Sequence, residues 1–155
     1  MKASVIYDSV FGNTEKVAQA IGAALGDDVP VVKVGDVTPE QVTGLDVLIV
    51  GSPTRAFSMT PATKAMIKAL PAKGLAGVKV AAFDTRMDIK TVDNKVLTAM
   101  AGVFGFAAEP IAKLLKRKGG VEAGEPGGFI VLGTEGPLLE GELERAAAWA
   151  SQVVA

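Results

Sequence analysis

Three short stretches of the sequence contain most of the residues whose types and spacing suit ligand chemistry. They are residues 9–14 (SVFGNT), 51–61 (GSPTRAFSMTP) and 83–87 (FDTRM). Each stretch combines hydroxyl groups with a glycine or an arginine, which a plain connection between two elements does not need. A single ligand that contacts all three stretches would account for them together.

The first stretch has the composition of an anion-binding loop. Gly12 permits close approach of a ligand to the backbone just before a helix begins, where several amide N–H groups point outward at the positive end of the helix dipole. Ser9, Asn13 and Thr14 add side-chain donors. The stretch matches neither GxxxxGK[ST] nor GxGxxG, so it suits one phosphate monoester better than a pyrophosphate. The alternative interpretation is that residues 9–14 only form a capped turn.

Composition excludes several other classes of function. The chain has no Cys and no His, so thiolate nucleophiles, Ser-His-Asp triads and the usual zinc sites are excluded. Its net charge of −1 over 155 residues argues against a nucleic-acid partner held by phosphate contacts. We expect one domain spanning residues 1–155, with neither a signal peptide nor a membrane-spanning segment, and hence a cytoplasmic location.

The spacing of apolar residues alternates along the chain between a strand pattern and a helical pattern. Short apolar runs rich in Val and Ile predict strands buried on both faces at residues 3–7, 29–34, 47–50, 78–83 and 129–132. Helical spacing lies between them, as in Val17, Ile21 and Leu25. This alternation predicts a three-layer, doubly wound α/β sandwich with a five-stranded parallel sheet of order 2-1-3-4-5. In that order ligands bind beyond the carboxyl ends of strands 1 and 3, where the first two stretches lie.

Some local signals are clear and others leave alternatives open. Thr38-Pro39-Glu40-Gln41 predicts a capping box with proline at the first helical position, and Thr60-Pro61 repeats its Thr-Pro part. Residues 91–119 are interpreted as one helix broken into two pieces, which restarts at Pro110. Residues 118–128 form either a loop or a split entry into the last strand.

At this point the residues resemble a known family. Residues 9–14 are similar to the [ST]-x-[ST]-G-N-T phosphate loop of the flavodoxin family, and Gly51-Ser52-Pro53-Thr54 is similar to the GSPT that opens its second flavin loop. The order of elements matches over essentially the whole chain, in the short-chain form. The resemblance implies noncovalent FMN, with its phosphate on residues 9–14 and its ring between the loops after strands 3 and 4. The cofactor-binding residues so implied are Ser9, Val10, Phe11, Gly12, Asn13, Thr14, Pro53, Thr54, Arg55, Ala56, Phe57, Asp84, Thr85 and Arg86.

The chain departs from the family pattern at its aromatic residues. Phe11 replaces the second hydroxyl of the phosphate loop, as similar substitutions do in the flavodoxin-like domains of flavodiiron proteins. Many flavodoxins stack the flavin between a Trp and a Tyr, but here Trp149 lies in the last predicted helix and Tyr7 in strand 1. We interpret Trp149 as a helix-docking residue. Phe57 is then the aromatic residue of the second loop, and it either contacts the flavin or anchors the loop in the core.

Two further departures concern the redox properties that the resemblance implies. Flavodoxins turn a peptide of the second loop toward flavin N5–H on reduction, which is easiest beside Gly, and residues 54–59 (TRAFSM) contain none. Arg55 and Arg86 would stabilise a negatively charged reduced flavin if they face the ring. The alternative is that they are surface arginines paired with Asp84 or Asp88.

Four glutamates, Glu135, Glu140, Glu142 and Glu144, lie near the start of the last predicted helix. We interpret them as complementing the helix dipole, in preference to a docking patch for a redox partner.

The leading hypothesis for function is an FMN-binding electron carrier that works with a redox partner protein or a small-molecule electron acceptor. The second is an FMN-dependent reductase that takes hydride from NAD(P)H, and the third is a flavodoxin-like binding or scaffold domain that has lost FMN. We expect a monomer or weak dimer, no metal, and no catalytic side chain, because the flavin itself supplies the redox chemistry.

Overall fold

Strands and helices alternate along the chain in a computed structural model, which describes residues 1–88, 95, 96, 99 and 105–155. The strands are β1 (Ala3–Tyr7), β2 (Val31–Lys33), β3 (Val47–Pro53), β4 (Lys79–Met87), β5 (Val121–Glu122) and β6 (Gly127–Val131). The helices are α1 (Asn13–Leu25), α2 (Pro61–Ala69), α3 (Ala108–Arg117) and α4 (Glu142–Val153). Two short 3-10 helices, Val34–Asp36 and Pro39–Val42, connect β2 to β3.

All strand pairs in the sheet are parallel, and their order is β2-β1-β3-β4 with β5 and β6 both beside β4. β5 pairs with the first residues of β4, and β6 pairs with its last five, from Phe83 to Met87. Two consecutive pieces therefore fill the fifth strand position. The predicted order 2-1-3-4-5 is confirmed, and of the two interpretations of residues 118–128 the split entry into the last strand is the observed one.

β3 and β4 run further than their apolar residues predict. The predicted strand 47–50 continues to Pro53, and the predicted strand 78–83 continues to Met87. The reason is that the polar ends of these strands still find ladder partners: Pro53 pairs with Thr85, and Arg86 pairs with Ile130. The placement of Pro53, Asp84, Thr85 and Arg86 in loops after strands 3 and 4 was therefore wrong, and all four lie in the strands themselves.

Each face of the sheet buries its own apolar core. Because side chains alternate along a strand, Val5 faces the layer of α1 and α4, whereas Ile6 faces the layer of α2 and α3. Both residues are fully buried, as expected for a parallel sheet covered on two sides. The predicted three-layer sandwich is therefore confirmed.

Trp149 docks α4 against the sheet, as predicted. Its ring meets Phe83 and Phe129 edge to face, with centroids 6.2 Å and 6.0 Å away. Its indole N–H donates to the carbonyl oxygen of Glu125 at 3.0 Å. These contacts join α4 to β4, to β6 and to the residues that precede β6.

Two of the predicted helix starts begin α-helices, and one begins a 3-10 helix. Thr60 caps α2 and accepts a hydrogen bond from the N–H of Thr63 at 3.3 Å. The capping box is also formed, since the N–H of Thr38 donates to Gln41 Oε1 at 2.8 Å, but it opens a short 3-10 helix. The predicted restart near Pro110 is α3, with Pro110 in its first turn. Apart from residues 95, 96 and 99, the first piece of the predicted broken helix lies outside the described residues.

α4 covers the outer edge of β6, a role that the charge pattern did not predict. Glu142 Oε2 accepts from the N–H of Ile130 at 2.7 Å, and Arg145 donates to the carbonyl oxygen of Gly128. Arg145 and Glu142 also form an ion pair of 2.7 Å. An edge strand with satisfied backbone groups cannot recruit another strand. Glu142 is thus buried and structural, whereas Glu135, Glu140 and Glu144 are exposed.

None of the helices in the described ranges combines the length and the apolar character needed to cross a bilayer.

Candidate functional site

A cleft of about 170 Å³ lies at the carboxyl edge of the sheet, between the ends of β1, β3 and β4. A larger groove of about 790 Å³ lies between α2 and residues 34–44 and has no ionisable side chain in its lining. We place the site in the smaller cleft because polar donors from three chain segments converge there. The predicted site residues that line it are Val10, Phe11, Asn13, Thr14, Pro53, Thr54, Arg55, Ala56, Thr85 and Arg86.

Gly12 gives the first loop its shape. Its φ of +94° lies in the left-handed region, and a Cβ added there would meet no atom within 4 Å. The loop backbone is therefore open to an approaching group on this side. Ser9 stabilises the turn from within, because its Oγ accepts the N–H of Gly12 at 3.0 Å. Ser9 and Gly12 thus form the frame of the loop and are not themselves in the cleft lining.

The start of α1 presents free backbone donors. The first N–H groups of a helix have no acceptor one turn earlier, and Gly12 supplies no side chain to cap them. Within the described part of the chain, the N–H groups of Asn13, Thr14 and Glu15 have no protein acceptor. Open space beside Gly12 and uncapped donors at the positive end of a 13-residue helix fit a phosphate group.

The side chains of Asn13 and Thr14 connect the first loop to its neighbours. Thr14 Oγ1 and Thr85 Oγ1 are 2.8 Å apart and share a hydrogen bond. Asn13 Nδ2 donates to the carbonyl oxygen of Glu135 at 3.0 Å. A Cβ at Gly136 would lie only 2.7 Å from the Asn13 carboxamide, so the loop after β6 packs tightly here. These two side chains therefore also position the loop.

Sequence reasoning missed the contribution of the end of β6. Val131 and Thr134 line the cleft, and so does Met87 at the end of β4. The one indication of this contribution in the sequence is the glycine-rich stretch LGTEGP, residues 132–137. Its composition is that of a turn, but it carries no phosphate-binding or flavin-binding motif.

The second loop is a tight two-residue turn. Arg55 and Ser58 exchange backbone hydrogen bonds of 2.8 Å and 3.0 Å. The central residues Ala56 and Phe57 have φ values of 49° and 65°, a pairing that turns of this kind usually give to Asn and Gly. Ala56 and Arg55 line the cleft, whereas Phe57 is half-buried and lies outside the lining. Phe57 is not among the residues of the two apolar cores either, so both interpretations of Phe57 stay predictions.

Thr54 and Asp8 secure the second loop. The N–H of Thr54 donates to the carbonyl oxygen of Thr85 at 2.9 Å, and Thr54 Oγ1 accepts the N–H of Ala107 at 3.2 Å. Asp8 Oδ2 accepts from the hydroxyl of Thr60 at 2.6 Å, which connects the end of β1 to the start of α2. No pattern in the sequence indicated this contact of Asp8.

Asp84 is fully buried and does not line the cleft. Its two oxygens accept from Nε and Nη2 of Arg86, each at 2.7 Å, and Oδ2 also accepts the N–H of Ala108 at 2.9 Å. Burial raises the pKa of this carboxyl group, whereas Arg86 acts to lower it. The expected pairing of an arginine with Asp84 is thus observed for Arg86, although Arg86 lines the cleft as well.

Aromatic rings lie beside both arginines of the cleft. The guanidinium carbon of Arg55 is 5.9 Å from the ring centroid of Phe11, and that of Arg86 is 3.9 Å from the centroid of Phe106. Phe11 itself is 45% exposed at the rim. The arrangement can bind an anion at the start of α1 and a planar, partly polar body between the second loop and β4. No His, Cys, Asp and Glu cluster within the described ranges could hold a metal ion.

Comparison with known proteins gives a family match and a set of similar folds. A family model described as "Flavodoxin domain" matches residues 4–119. No curated protein matches the chain.

Solved structures of similar fold cover nearly the whole chain. Oxidised flavodoxin 1 from Bacillus cereus has a TM-score of 0.75 at 16% identity, over 99% of this chain and 97% of that one. Oxidised flavodoxin 2 from Bacillus cereus has 0.74 at 22%, over 99% and 98%. Rubredoxin oxygen:oxidoreductase from Desulfovibrio gigas has 0.71 at 19%, over 98% of this chain and 35% of that one. At these identities the likeness concerns the fold, and the fold is that of flavodoxins.

Proposed function

The chain belongs to the flavodoxin family, and from this premise we propose that it binds one FMN noncovalently and carries electrons to or from a redox partner. The observation that supports this most strongly is the uncapped start of α1 beside the left-handed Gly12, which opens into the same cleft as the second loop and β4. The proposal includes a cytoplasmic location and a monomer or weak dimer, both of which stay predictions.

The phosphate of FMN would be held by the first loop. The donors are the backbone N–H groups of Asn13, Thr14 and Glu15, which have no acceptor within the described residues. Thr14 adds a hydroxyl that Thr85 already orients. Charge-assisted hydrogen bonds to a phosphate are stronger than neutral ones. This loop would therefore supply much of the affinity.

The flavin ring would lie between the second loop and the end of β4. Pro53, Thr54, Arg55 and Ala56 line the cleft at the end of β3 and in the second loop, and Thr85 and Arg86 line it at the end of β4. Bound FMN supplies the redox chemistry, and the protein positions it and tunes its environment. Since no Trp or Tyr lies at the second loop, ring stacking would contribute less here than the ~1 kcal/mol that an aromatic contact typically adds.

Exposed apolar side chains at the mouth of the cleft would limit the access of water. Val10 is 51% exposed, Phe11 45% and Met87 40%. These side chains would form part of the surface that a redox partner contacts. An electron carrier needs such a surface because electrons leave through it.

A titration with FMN and with riboflavin tests the proposal. We expect FMN to bind much more tightly than riboflavin, which lacks the phosphate that the first loop would hold. Flavin fluorescence quenching gives both dissociation constants. A protein that binds neither flavin would contradict FMN binding and support the scaffold alternative.

A second measurement separates a carrier from a reductase. Anaerobic addition of NADPH to the FMN-loaded protein should leave the flavin absorbance unchanged, whereas dithionite should bleach it. Rapid bleaching by NADPH alone would instead show that the protein is a reductase.

A further inference from the structure

α2 and α3 lie on the same face of the sheet, and their ends are joined by hydrogen bonds. Apolar residues of both helices, Ile67 and Ile111 among them, belong to one core. Nζ of Lys118, directly after α3, donates to the carbonyl oxygens of Lys68 and Leu70 at 3.0 Å and 2.7 Å. The outer sides of the two helices therefore belong to one surface of the molecule.

The chain segments that build this surface are rich in basic residues. Residues 47–83 contain five Lys and Arg but no Asp or Glu, and residues 110–121 contain four but again no acidic residue. Five of these cations are exposed and form no ion pair within the part of the chain that the structure describes: Lys64, Lys68, Lys73, Lys113 and Arg117. Of the acidic residues of α3 and β5, Glu109 lies in the first turn of α3, and Glu122 pairs with Lys116. The outer side of α2 and α3 thus carries a surplus of positive charge.

The helical layer on the other face of the sheet has the opposite charge. Residues 134–144, which end in the first turn of α4, contain four Glu but no Lys or Arg. Asp27 and Asp28, shortly after α1, are exposed as well. The net charge of −1 therefore results from regions of opposite sign, and such a distribution orients a charged molecule as it approaches.

An apolar groove lies along the other flank of α2. It is the groove of about 790 Å³ between α2 and residues 34–44, and the exposed acidic residues Asp36 and Glu40 lie outside its lining. Because an α-helix has about 3.6 residues per turn, the groove-lining residues of α2 lie on one flank of the helix, and Lys64 and Lys68 lie on another. The groove-lining residues of α2 are Ala62, Ala65, Met66 and Ala69. A segment that lies along α2 can therefore contact the groove and the lysines together.

We propose that the basic side of α2 and α3, together with the apolar groove beside α2, binds an acidic amphipathic segment of a partner protein. Carboxylates of the segment would pair with Lys64 and Lys68, and its apolar side chains would enter the groove. A nucleic acid matches the charge but not the apolar groove, so a protein segment fits better. The groove and the candidate FMN cleft share no lining residue, and this binding goes beyond the proposed function because it does not require FMN.

The probe is a short fluorescein-labelled peptide with Glu on one side and Leu on the other at helical spacing. Fluorescence anisotropy measures its dissociation constant with the full chain, without added FMN, at physiological ionic strength. In Lys64→Glu/Lys68→Glu we expect binding to weaken about tenfold or more, because two attractive charges become repulsive. Ala65→Gln leaves the charge unchanged and places a polar side chain in the groove, so binding should weaken about threefold through the loss of apolar contact. All three positions are exposed, so both variants should fold.

Lys16→Glu/Lys33→Glu is the matched control. It makes the same change in net charge at exposed positions of α1 and β2. The control should keep the wild-type affinity for the peptide within about twofold, because charges that lie beyond a Debye length from the peptide are largely screened.

Four outcomes would overturn the inference. The first is a wild-type protein that does not bind the peptide, and the second is an equal loss of affinity in the two double variants, which would mean that only net charge matters. The third is an unchanged affinity in Ala65→Gln, or a single-stranded DNA of the same charge that binds as tightly as the peptide. The fourth is self-association in sedimentation equilibrium that Lys64→Glu/Lys68→Glu abolishes, which would assign the surface to a second copy of the chain. Since no FMN is added, a failure of FMN binding leaves this result unaffected.

Discussion

Ala56 and Phe57 show how individual residues adapt to the cleft. Both adopt left-handed backbone conformations, with φ of 49° and 65°. A side chain with a Cβ pays roughly 1–2 kcal/mol for this conformation. The turn nevertheless holds Arg55 and Ala56 in the cleft wall. Strain of this kind is tolerated where the surrounding contacts determine the backbone, here the paired hydrogen bonds between Arg55 and Ser58.

Replacement of Ala56 by Gly should stabilise the protein. Glycine relieves the left-handed strain, although its greater freedom in the unfolded chain offsets part of the gain, so we expect roughly 0.5–1 kcal/mol. Urea unfolding of both proteins measures the difference. Ala24→Gly makes the same chemical change at an exposed position of α1, where glycine should instead cost about 1 kcal/mol. A destabilised Ala56→Gly protein would contradict the strain argument.

At the scale of elements, β6 and α4 depend on each other. β6 is the outer strand beside the second half of β4. Glu142 and Arg145 at the start of α4 bind two of its outward backbone groups, and the N–H of Leu139 binds a third. The hydrogen bond from Arg145 is the main cause that lowers the pKa of Glu142, and the N–H of Ile130 lowers it further. Burial acts in the opposite direction. The ionised carboxylate is therefore the form that stabilises this edge of the sheet.

Glu142 should make stability depend on pH in the acid range. The folded protein binds this proton less readily than the unfolded chain, so the contribution is fully present above the ordinary glutamate pKa of 4.5 and is lost as the pH falls below it. We expect the difference in unfolding free energy between wild type and Glu142→Gln to shrink from pH 7 to pH 4. Urea unfolding at several pH values measures it. Glu144→Gln, an exposed position on the same helix, should show no such trend, and a pH-independent difference for Glu142→Gln would refute the assignment.

At the scale of the whole molecule, the site joins segments that are far apart in the chain. The first loop, the second loop and the end of β4 meet at the carboxyl edge because the order of parallel strands brings β1, β3 and β4 side by side. The end of β6 completes the cleft from residues 131–134. A ligand bound here therefore contacts several parts of the fold at once and should stabilise the fold as a unit.

FMN should raise the melting temperature by mass action. At a free concentration of 100 times the dissociation constant, binding to the folded state alone adds about 2.7 kcal/mol, or roughly 5–11 °C for a domain of this size. Differential scanning calorimetry measures the shift. Gly12→Val is the comparison variant, because its side chain would occupy the open space beside the first loop. Because the φ of +94° strains any residue with a side chain at this position, Gly12→Val will melt at a lower temperature even without FMN. The two proteins are therefore compared by the shift in melting temperature that FMN causes, which should be small in Gly12→Val. An equal shift in both proteins would place the phosphate elsewhere.

Much of the fold followed from local patterns in the chain. Apolar runs such as residues 3–7 indicate strands buried on both faces, and helical spacing between such runs indicates a parallel sheet. Both signals depend only on residues that are neighbours in the chain. The composition of residues 9–14 likewise predicted a turn at the start of a helix, because glycine and hydroxyl groups before a helix have a local physical meaning. Ligand contact by these residues stays a prediction.

Other features depend on contacts between distant residues. Asn13 bonds to Glu135, 122 positions away, and Asp84 bonds to Ala108, 24 positions away. Strand ends at Pro53 and Met87 depend on ladder partners, and the role of Glu142 depends on the edge of β6. Periodicity and composition report only on neighbours in the chain, so they carry no signal for such pairs. The packing of the folded chain therefore selected which of the polar side chains face the cleft and which, like Asp84, are buried behind it.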